Sequence, residues 1–267
     1  METEKETITQ TQEVDISEPE EVRQKRLRDN AIYLLPNAFT IAALFAAFQA
    51  IILATVHDKF ELAAIYVFAS MILDGMDGRV ARMTNSQSAF GEQMDSLADM
   101  VSFGVAPALI AYKWQLYEFG HLGLAIAFIY CACAGLRLAL FNTMIGKADK
   151  RWFIGIPSPT AAALIAGLVW VHHGFESIPG IAYICLALTL FAGLSMIVQI
   201  PFWSFKEFGP LRQEPYWAML LIVCIILLIW WKPALVLFLM FLAYSCSGYV
   251  VWILKRMKKK SATPAAM

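Results

Sequence analysis

Eight stretches of this chain, near residues 33–56, 60–77, 95–113, 120–142, 157–174, 179–202, 216–231 and 233–254, are apolar over most of their length. A helix needs about 20 such residues to cross the ~30 Å hydrocarbon layer of a bilayer. Lipid offers no water to a backbone, so a segment of this kind must pair its own N–H and C=O groups inside a helix. The pattern predicts an all-α integral membrane protein of about eight transmembrane helices. Composition agrees: 59% of the 267 residues are hydrophobic and 16% are charged, too little charge to cover a water-soluble domain of this size. The apolar runs break at His57-Asp58-Lys59, across 147–151, at Ile178-Pro179-Gly180, across 209–215 and at Trp231-Lys232-Pro233, where turn formers and charges collect.

Formal net charge is zero, from 21 basic and 21 acidic residues, but the basic residues are not spread evenly. With an even number of spans both termini share a side. That side receives Arg23, Lys25, Arg26, Arg28, Arg79, Arg82, Lys147, Lys150, Arg151, Lys206, Arg212, Lys255, Arg256, Lys258, Lys259 and Lys260, whereas the other receives Lys59, Lys113 and Lys232. Lys and Arg concentrate in cytoplasmic loops, so the expected location is the cell inner (cytoplasmic) membrane, multi-pass, with both termini inside. The basic runs read as topology determinants and contacts to anionic membrane lipids, and no nucleic-acid partner is expected. The five cysteines, Cys131, Cys133, Cys185, Cys224 and Cys246, all lie in apolar runs without metal-type spacing and read as small buried hydrophobes.

Against this apolar background four aspartates stand out. Asp74 and Asp77 end the second stretch, and Asp95 and Asp99 begin the third. A step of three residues puts Asp74 and Asp77 about 60° apart around a helix axis, and a step of four puts Asp95 and Asp99 about 40° apart. Each pair shares a face, and the short loop between the two helices predicts antiparallel neighbours whose carboxylates converge at the cytoplasmic edge of the bilayer. Each acid near the membrane core costs about 2.5 to 3.5 kcal/mol on insertion scales, and like charges in one place repel unless protons or cations intervene. Oxygen-only ligands suit a hard divalent ion such as Mg²⁺ or Mn²⁺. The alternative is that the acids face water and pair with Arg79 and Arg82. Gly75, Gly78, Ala81 and Gly91 interleave them, as where a phosphate or a second backbone must come close, and Arg82 offers a planar fork suited to pyrophosphate.

The run from Asp74 to Asp99 resembles the signature of the CDP-alcohol phosphatidyltransferases, D-x-x-D-G-x-x-A-R, eight residues, G-x-x-x-D-x-x-x-D, and matches it at every fixed position. The resemblance implies a six-helix catalytic core over 33–202, preceded by a disordered acidic tail (1–22) and a basic juxtamembrane segment (23–32). Two additional transmembrane helices (203–254) and a basic cytoplasmic tail (255–267) would follow. It implies that Asp74, Asp77 and Asp95 hold divalent metal, with two ions expected, and that Asp99 is the general base and a further ligand. Gly78, Arg82 and Ser88 fall where that family binds the CDP group of CDP-diacylglycerol. Asn37 and Thr40 resemble its first-helix nucleotide contacts, although after Pro36 they serve equally well as helix-start caps. The family also suggests a homodimer, for which Ala42, Ala43, Ala46 and Ala47 offer close helix contacts.

Three further stretches, 101–108, 135–142 and 153–162, resemble the phosphatidylserine synthase branch of that family, which implies L-serine as the acceptor. A second arginine commonly stands in that branch where this chain has Leu140. Arg137 lies inside a span with no acid nearby in sequence, and a buried guanidinium needs an anion: the acceptor's carboxylate or phosphate, or one of the aspartates. Asn142 and Ser158 could contact the acceptor or satisfy helix ends. Glycerol 3-phosphate, inositol phosphate and choline are the competing acceptors. A cation transporter would instead place its acids near the bilayer midplane in broken, repeated helices, and no internal repeat is present. All four histidines, His57, His121, His172 and His173, map to the side away from the aspartates, which argues against histidine acid–base chemistry there. Pro107 is expected to kink the third span.

Overall fold

The computed structural model describes residues 20–144, 152–174, 179–198, 200–203 and 215–261. Among them the apolar stretches become eight helical rods: α1 (Glu20–Thr55), α2 (Phe60–Met83), a third rod, α5 (His121–Met144), α6 (Ser158–His173), α7 (Ile181–Ile197), α8 (Pro215–Trp231) and α9 (Pro233–Ser261). The third rod is made of α3 (Ala89–Asp99), a π-helical turn (Met100–Val105) and α4 (Ala106–Trp114). The only strands among the described residues are β1 (Trp152–Ile154) and β2 (Pro201–Trp203), an antiparallel pair with Trp152 opposite Trp203. The sixth stretch was expected to stay helical to residue 202. It stops at Ile197 because Pro201 cannot supply a helical N–H and disfavours helix in the residue before it.

The basic segment 23–32 is helical and continuous with the first span, while residues 1–19 of the expected acidic tail lie outside the described residues. At the other end, 255–261 extend α9, and 262–267 lie outside. Among the described residues four rods are long and apolar enough to cross a membrane by themselves, over Leu35–Thr55, Ala89–Trp114, His121–Thr143 and Pro233–Leu254. The other four are shorter or end in charge. α6, α7 and α8 contain 16, 17 and 17 residues, about 24 to 26 Å at 1.5 Å per residue, and α2 ends in the charged segment that carries Asp74 to Arg82.

α6 needs no lipid-matching length because it runs through the middle of the bundle. It packs on α2, α4, α5, α7 and α9, and its Ala161, Ala162, Ala163 and Leu164 are wholly buried. Small residues let the backbones approach closely where no hydrophobic effect drives helices together. The α1–α2 pair works the same way: Ala43, Ala47, Ala50 and Ala54 of α1 and Ala63 and Ala64 of α2 are buried. Ala43, Ala46 and Ala47, considered above as contacts to a second copy, are therefore used inside this chain's own bundle. Ser70 bridges Ala43 O at 2.9 Å and Ser102 Oγ at 2.9 Å, tying α1, α2 and the π-turn together.

The two final helices join this core through α9. Phe238 packs where a side chain on Gly167 of α6 would stand, with its Cβ and Cδ2 each 3.2 Å from that position. The Phe241 ring lies 6.3 Å from that of Phe68, and Tyr249 hydrogen-bonds to Ser195 of α7. At the end of the bundle away from the aspartates, Lys113 pairs with Asp58 at 3.4 Å and His173 with Glu61 at 3.1 Å.

Candidate active site

α2 delivers Asp74 and Asp77 from its last turns, and the loop that follows reverses the chain at Asn85, which adopts a left-handed φ of 51°. Thr84 Oγ1 donates to Val80 O at 2.8 Å and meets Ser86 Oγ at 2.6 Å, closing the end of α2. Ser88 then caps α3, its Oγ accepting from Gly91 N–H at 3.0 Å. The third rod meets α2 through the π-turn and α4, whereas α3 itself packs on α1. The space this leaves beside α2 is a cleft.

At one edge of the cleft Asp74, Asp95 and Asp99 offer carboxylate oxygens that all lie within 4.8 Å of one another. Asp74 and Asp99 are within hydrogen-bonding reach of each other, and Asp99 Oδ1 is buried without a hydrogen-bond partner among the described residues. No ion pair among the described residues reaches any of the four aspartates, so the alternative of neutralisation by Arg79 and Arg82 is not what the fold adopts. Opposite ligand oxygens on Mg²⁺ stand about 4.2 Å apart, close to the triad's dimensions. An uncompensated, oxygen-only cluster with an orphaned buried oxygen fits a hard divalent cation and has no cheap structural explanation.

Asp77 is set slightly apart. It is buried at 5% exposure, Thr40 Oγ1 donates to its Oδ2 at 2.7 Å, and the Gly78 N–H donates to its Oδ1. The reading of Asn37 and Thr40 as helix-start caps does not hold, because α1 runs unbroken from Glu20 through Pro36, and Thr40 instead orients a carboxylate from the neighbouring helix. Asn37, Thr40, Gly78, Arg82 and Ser88 all line one cleft of about 220 Å³ together with Asp77 and Asp95. Arg82 Nη1 lies 3.6 Å from where a Gly78 side chain would begin. Of the three glycines in the aspartate signature Gly91 has the least room: a Cβ there would stand 3.2 Å from Ser88 Oγ and 3.3 Å from Asn37 Oδ1. Gln87 and Glu92 line the same cleft, and no motif singled them out.

Arg137, on α5, donates from Nη1 to Ser158 Oγ at 2.9 Å, and its buried Nε has no partner among the described residues. It lies within electrostatic range of Asp99 and of Tyr244 on α9, with no ion pair to an aspartate among the described residues. Asn142 Nδ2 donates to Ser96 Oγ at 3.0 Å, linking α5 to α3 one residue after Asp95. Tyr244 had no signal in the sequence, being one aromatic residue among many in an apolar run.

Comparison with known proteins agrees with this geometry. A family model described as CDP-alcohol phosphatidyltransferase matches residues 33–198. A Helicobacter pylori protein named CDP-diacylglycerol--serine O-phosphatidyltransferase is 35% identical over 233 residues, 86% of this chain and 95% of the relative. A Mycobacterium leprae protein of the same name is 30% identical over 236 residues, 84% of this chain and 76% of the relative. A Bacillus subtilis protein, also of that name, is 37% identical over 117 residues, 44% of this chain and 65% of the relative. The match spans α1 to α7 and contains all four aspartates and the cleft, and on this evidence the chain belongs to the CDP-alcohol phosphatidyltransferase family.

Proposed function

We propose that this protein transfers the phosphatidyl group of CDP-diacylglycerol to L-serine, giving phosphatidylserine and CMP. The observation that carries the reading is the convergence of Asp74, Asp95 and Asp99 beside the polar cleft of Asn37, Thr40, Gly78, Arg82 and Ser88. The serine acceptor is supported by relatives of that name covering most of this chain.

Asp74, Asp77, Asp95 and Asp99 are the ligands for divalent metal, two ions of Mg²⁺ or Mn²⁺, whose oxygen preference the cluster matches. A divalent cation held there would supply Lewis acidity toward the phosphoryl oxygens and the departing CMP. Arg82 steadies the pyrophosphate with its planar fork, and Gly78, which has no side chain, lets it come close. Asp99 accepts the proton of the serine hydroxyl as that oxygen attacks phosphorus in line. The new bond joins serine oxygen to phosphorus, the phosphorus–oxygen bond to CMP breaks, and the proton rests on Asp99. Arg137, with Nη1 already anchored on Ser158, turns its remaining N–H groups to the serine carboxylate, and Asn142 helps by holding Ser96 beside Asp95.

One substrate is a lipid and the other is water-soluble, so the site belongs at a membrane boundary. The bias of Lys and Arg in the sequence supports the cytoplasmic face of the inner membrane, and the protein is taken to act as a homodimer. An acceptor competition tests the assignment. Purified protein given CDP-diacylglycerol and equal concentrations of L-serine, glycerol 3-phosphate, inositol phosphate and choline should yield phosphatidylserine as the dominant lipid by mass spectrometry. A different dominant headgroup would move the acceptor while leaving the phosphatidyl transfer intact.

A further inference from the structure

The third rod carries half of the carboxylate cluster on a helix that is poorly anchored by its own packing. In α3 only Ala98 is buried, while Phe90 and Leu97 are 70% and 67% exposed. α4, by contrast, is fixed: Ala106, Pro107, Ala108, Ile110 and Ala111 are all buried. Beyond the contact of α3 with α1 and the Asn142–Ser96 hydrogen bond, the azimuth of Asp95 and Asp99 depends on the π-turn Met100–Val105 that joins α3 to α4. There the Ala106 N–H bonds to Val101 O, five residues back, whereas the Met100 N–H still reaches Ser96 O, four back. A π-turn accommodates one extra residue. If it relaxed to α-helix, α3 would swing by about 100°, the rotation of one residue, and Asp95 and Asp99 would leave Asp74.

The cause of the turn and the group that steadies it are both visible. In an α-helical register Phe103 O would accept from residue 107, but Pro107 has no N–H. Phe103 is wholly buried, and its carbonyl instead accepts from Tyr130 Oη at 2.9 Å, a phenol on α5 that is itself wholly buried. The Tyr130 backbone is pinned from the far side by Gly193 of α7, where an added Cβ would stand 3.0 Å from Tyr130 Cα. Gly104, inside the turn, leaves no gap to α5: a Cβ there would be 3.2 Å from Ala134 Cβ.

We propose that Tyr130 is a positioning residue for the carboxylate triad, its hydroxyl holding the π-turn at Phe103 and thereby fixing the rotation of α3 that turns Asp95 and Asp99 toward Asp74. The inference rests on the reading of the triad as a metal site.

The test uses the full-length protein in detergent and Mn²⁺ as the probe, with bound metal read from the loss of the free-ion electron paramagnetic resonance signal. Tyr130→Phe removes only the hydroxyl and should weaken Mn²⁺ binding roughly 10- to 100-fold, the usual effect of losing a group that supports a ligand. Tyr249→Phe, which breaks another phenol's bond to Ser195, should leave Mn²⁺ affinity unchanged. Should Tyr130→Phe not fold, Pro107→Ala decides, because restoring the N–H lets the turn relax and should weaken binding as well. Wild-type Mn²⁺ affinity in whichever of these two variants folds, or an equal loss in Tyr249→Phe, would overturn the role of Tyr130. Absence of Mn²⁺ binding by the wild-type protein would overturn the metal reading itself.

Discussion

Thr40 reaches from α1 to α2 and donates a 2.7 Å hydrogen bond to Asp77 Oδ2. The bond fixes one carboxylate oxygen of a residue that is 5% exposed, while the Gly78 N–H holds the other. Groups of this kind decide whether a ligand is presented or merely present.

Thr40→Val keeps the shape and removes the donor. Leaving a buried carboxylate short of one hydrogen bond costs about 1–3 kcal/mol, so the metal concentration for half-maximal CMP release should rise roughly 10-fold or more. Thr40→Ser should restore it. A metal titration of CMP release checks both, and identical curves for all three proteins would remove Thr40 from the site.

Arg137 should matter to the acceptor and not to the lipid. A hydrogen bond to a charged group contributes about 1.5–3 kcal/mol, so Arg137→Lys, which loses the fork geometry, should raise the KM for serine roughly 10- to 100-fold. The KM for CDP-diacylglycerol should stay near that of the wild type. Initial rates with each substrate varied in turn make the distinction, and a change confined to the lipid KM would reassign the residue.

Of two glycines in the aspartate signature, one should respond to substitution and the other should not. At Gly91 an alanine would press on Ser88 Oγ at 3.2 Å and Asn37 Oδ1 at 3.3 Å, whereas at Gly75 no atom lies within 4 Å of the added carbon. Loss of the Ser88 cap costs about 1 kcal/mol, so Gly91→Ala should raise the KM for CDP-diacylglycerol about 5-fold. Gly75→Ala should leave it unchanged in the same assay.

α9 should be part of the catalytic body although the matched family segment ends at residue 198. Phe238→Ala would open a gap against Gly167 of the central helix, and truncating a large apolar contact of this type costs about 3 kcal/mol. The expected result is a lower thermal unfolding temperature in detergent and, because Tyr244 lies near Arg137, a raised KM for serine. Wild-type values of both would make α9 an accessory.

The rods were legible because their signal is crude and repeated: the stretch read as 120–142 is His121–Met144, and that read as 157–174 is Ser158–His173. The aspartates were legible because helical spacing brings Asp95 and Asp99 onto one face, where both join the triad with Asp74. What the sequence concealed are relations that depend on tertiary contact. Pro107 announced a kink, but a π-turn needs Tyr130 from another helix to take the carbonyl that proline leaves free. The loop after α2 announced a reversal, but that α3 would lie on α1 depends on which small faces meet. Thr40 sits 37 positions before the carboxylate it orients, and nothing local to either residue records the pairing.

The most direct test of the central claim is CMP release by the purified protein supplied with CDP-diacylglycerol and Mn²⁺ or Mg²⁺, with and without L-serine, for the wild type and Asp99→Asn. The geometry of the triad predicts release that requires both metal and serine, stops on chelation, returns on re-addition of the ion, and is abolished by Asp99→Asn. Release that persists in Asp99→Asn, or that continues at the same rate after the metal is chelated, would contradict it.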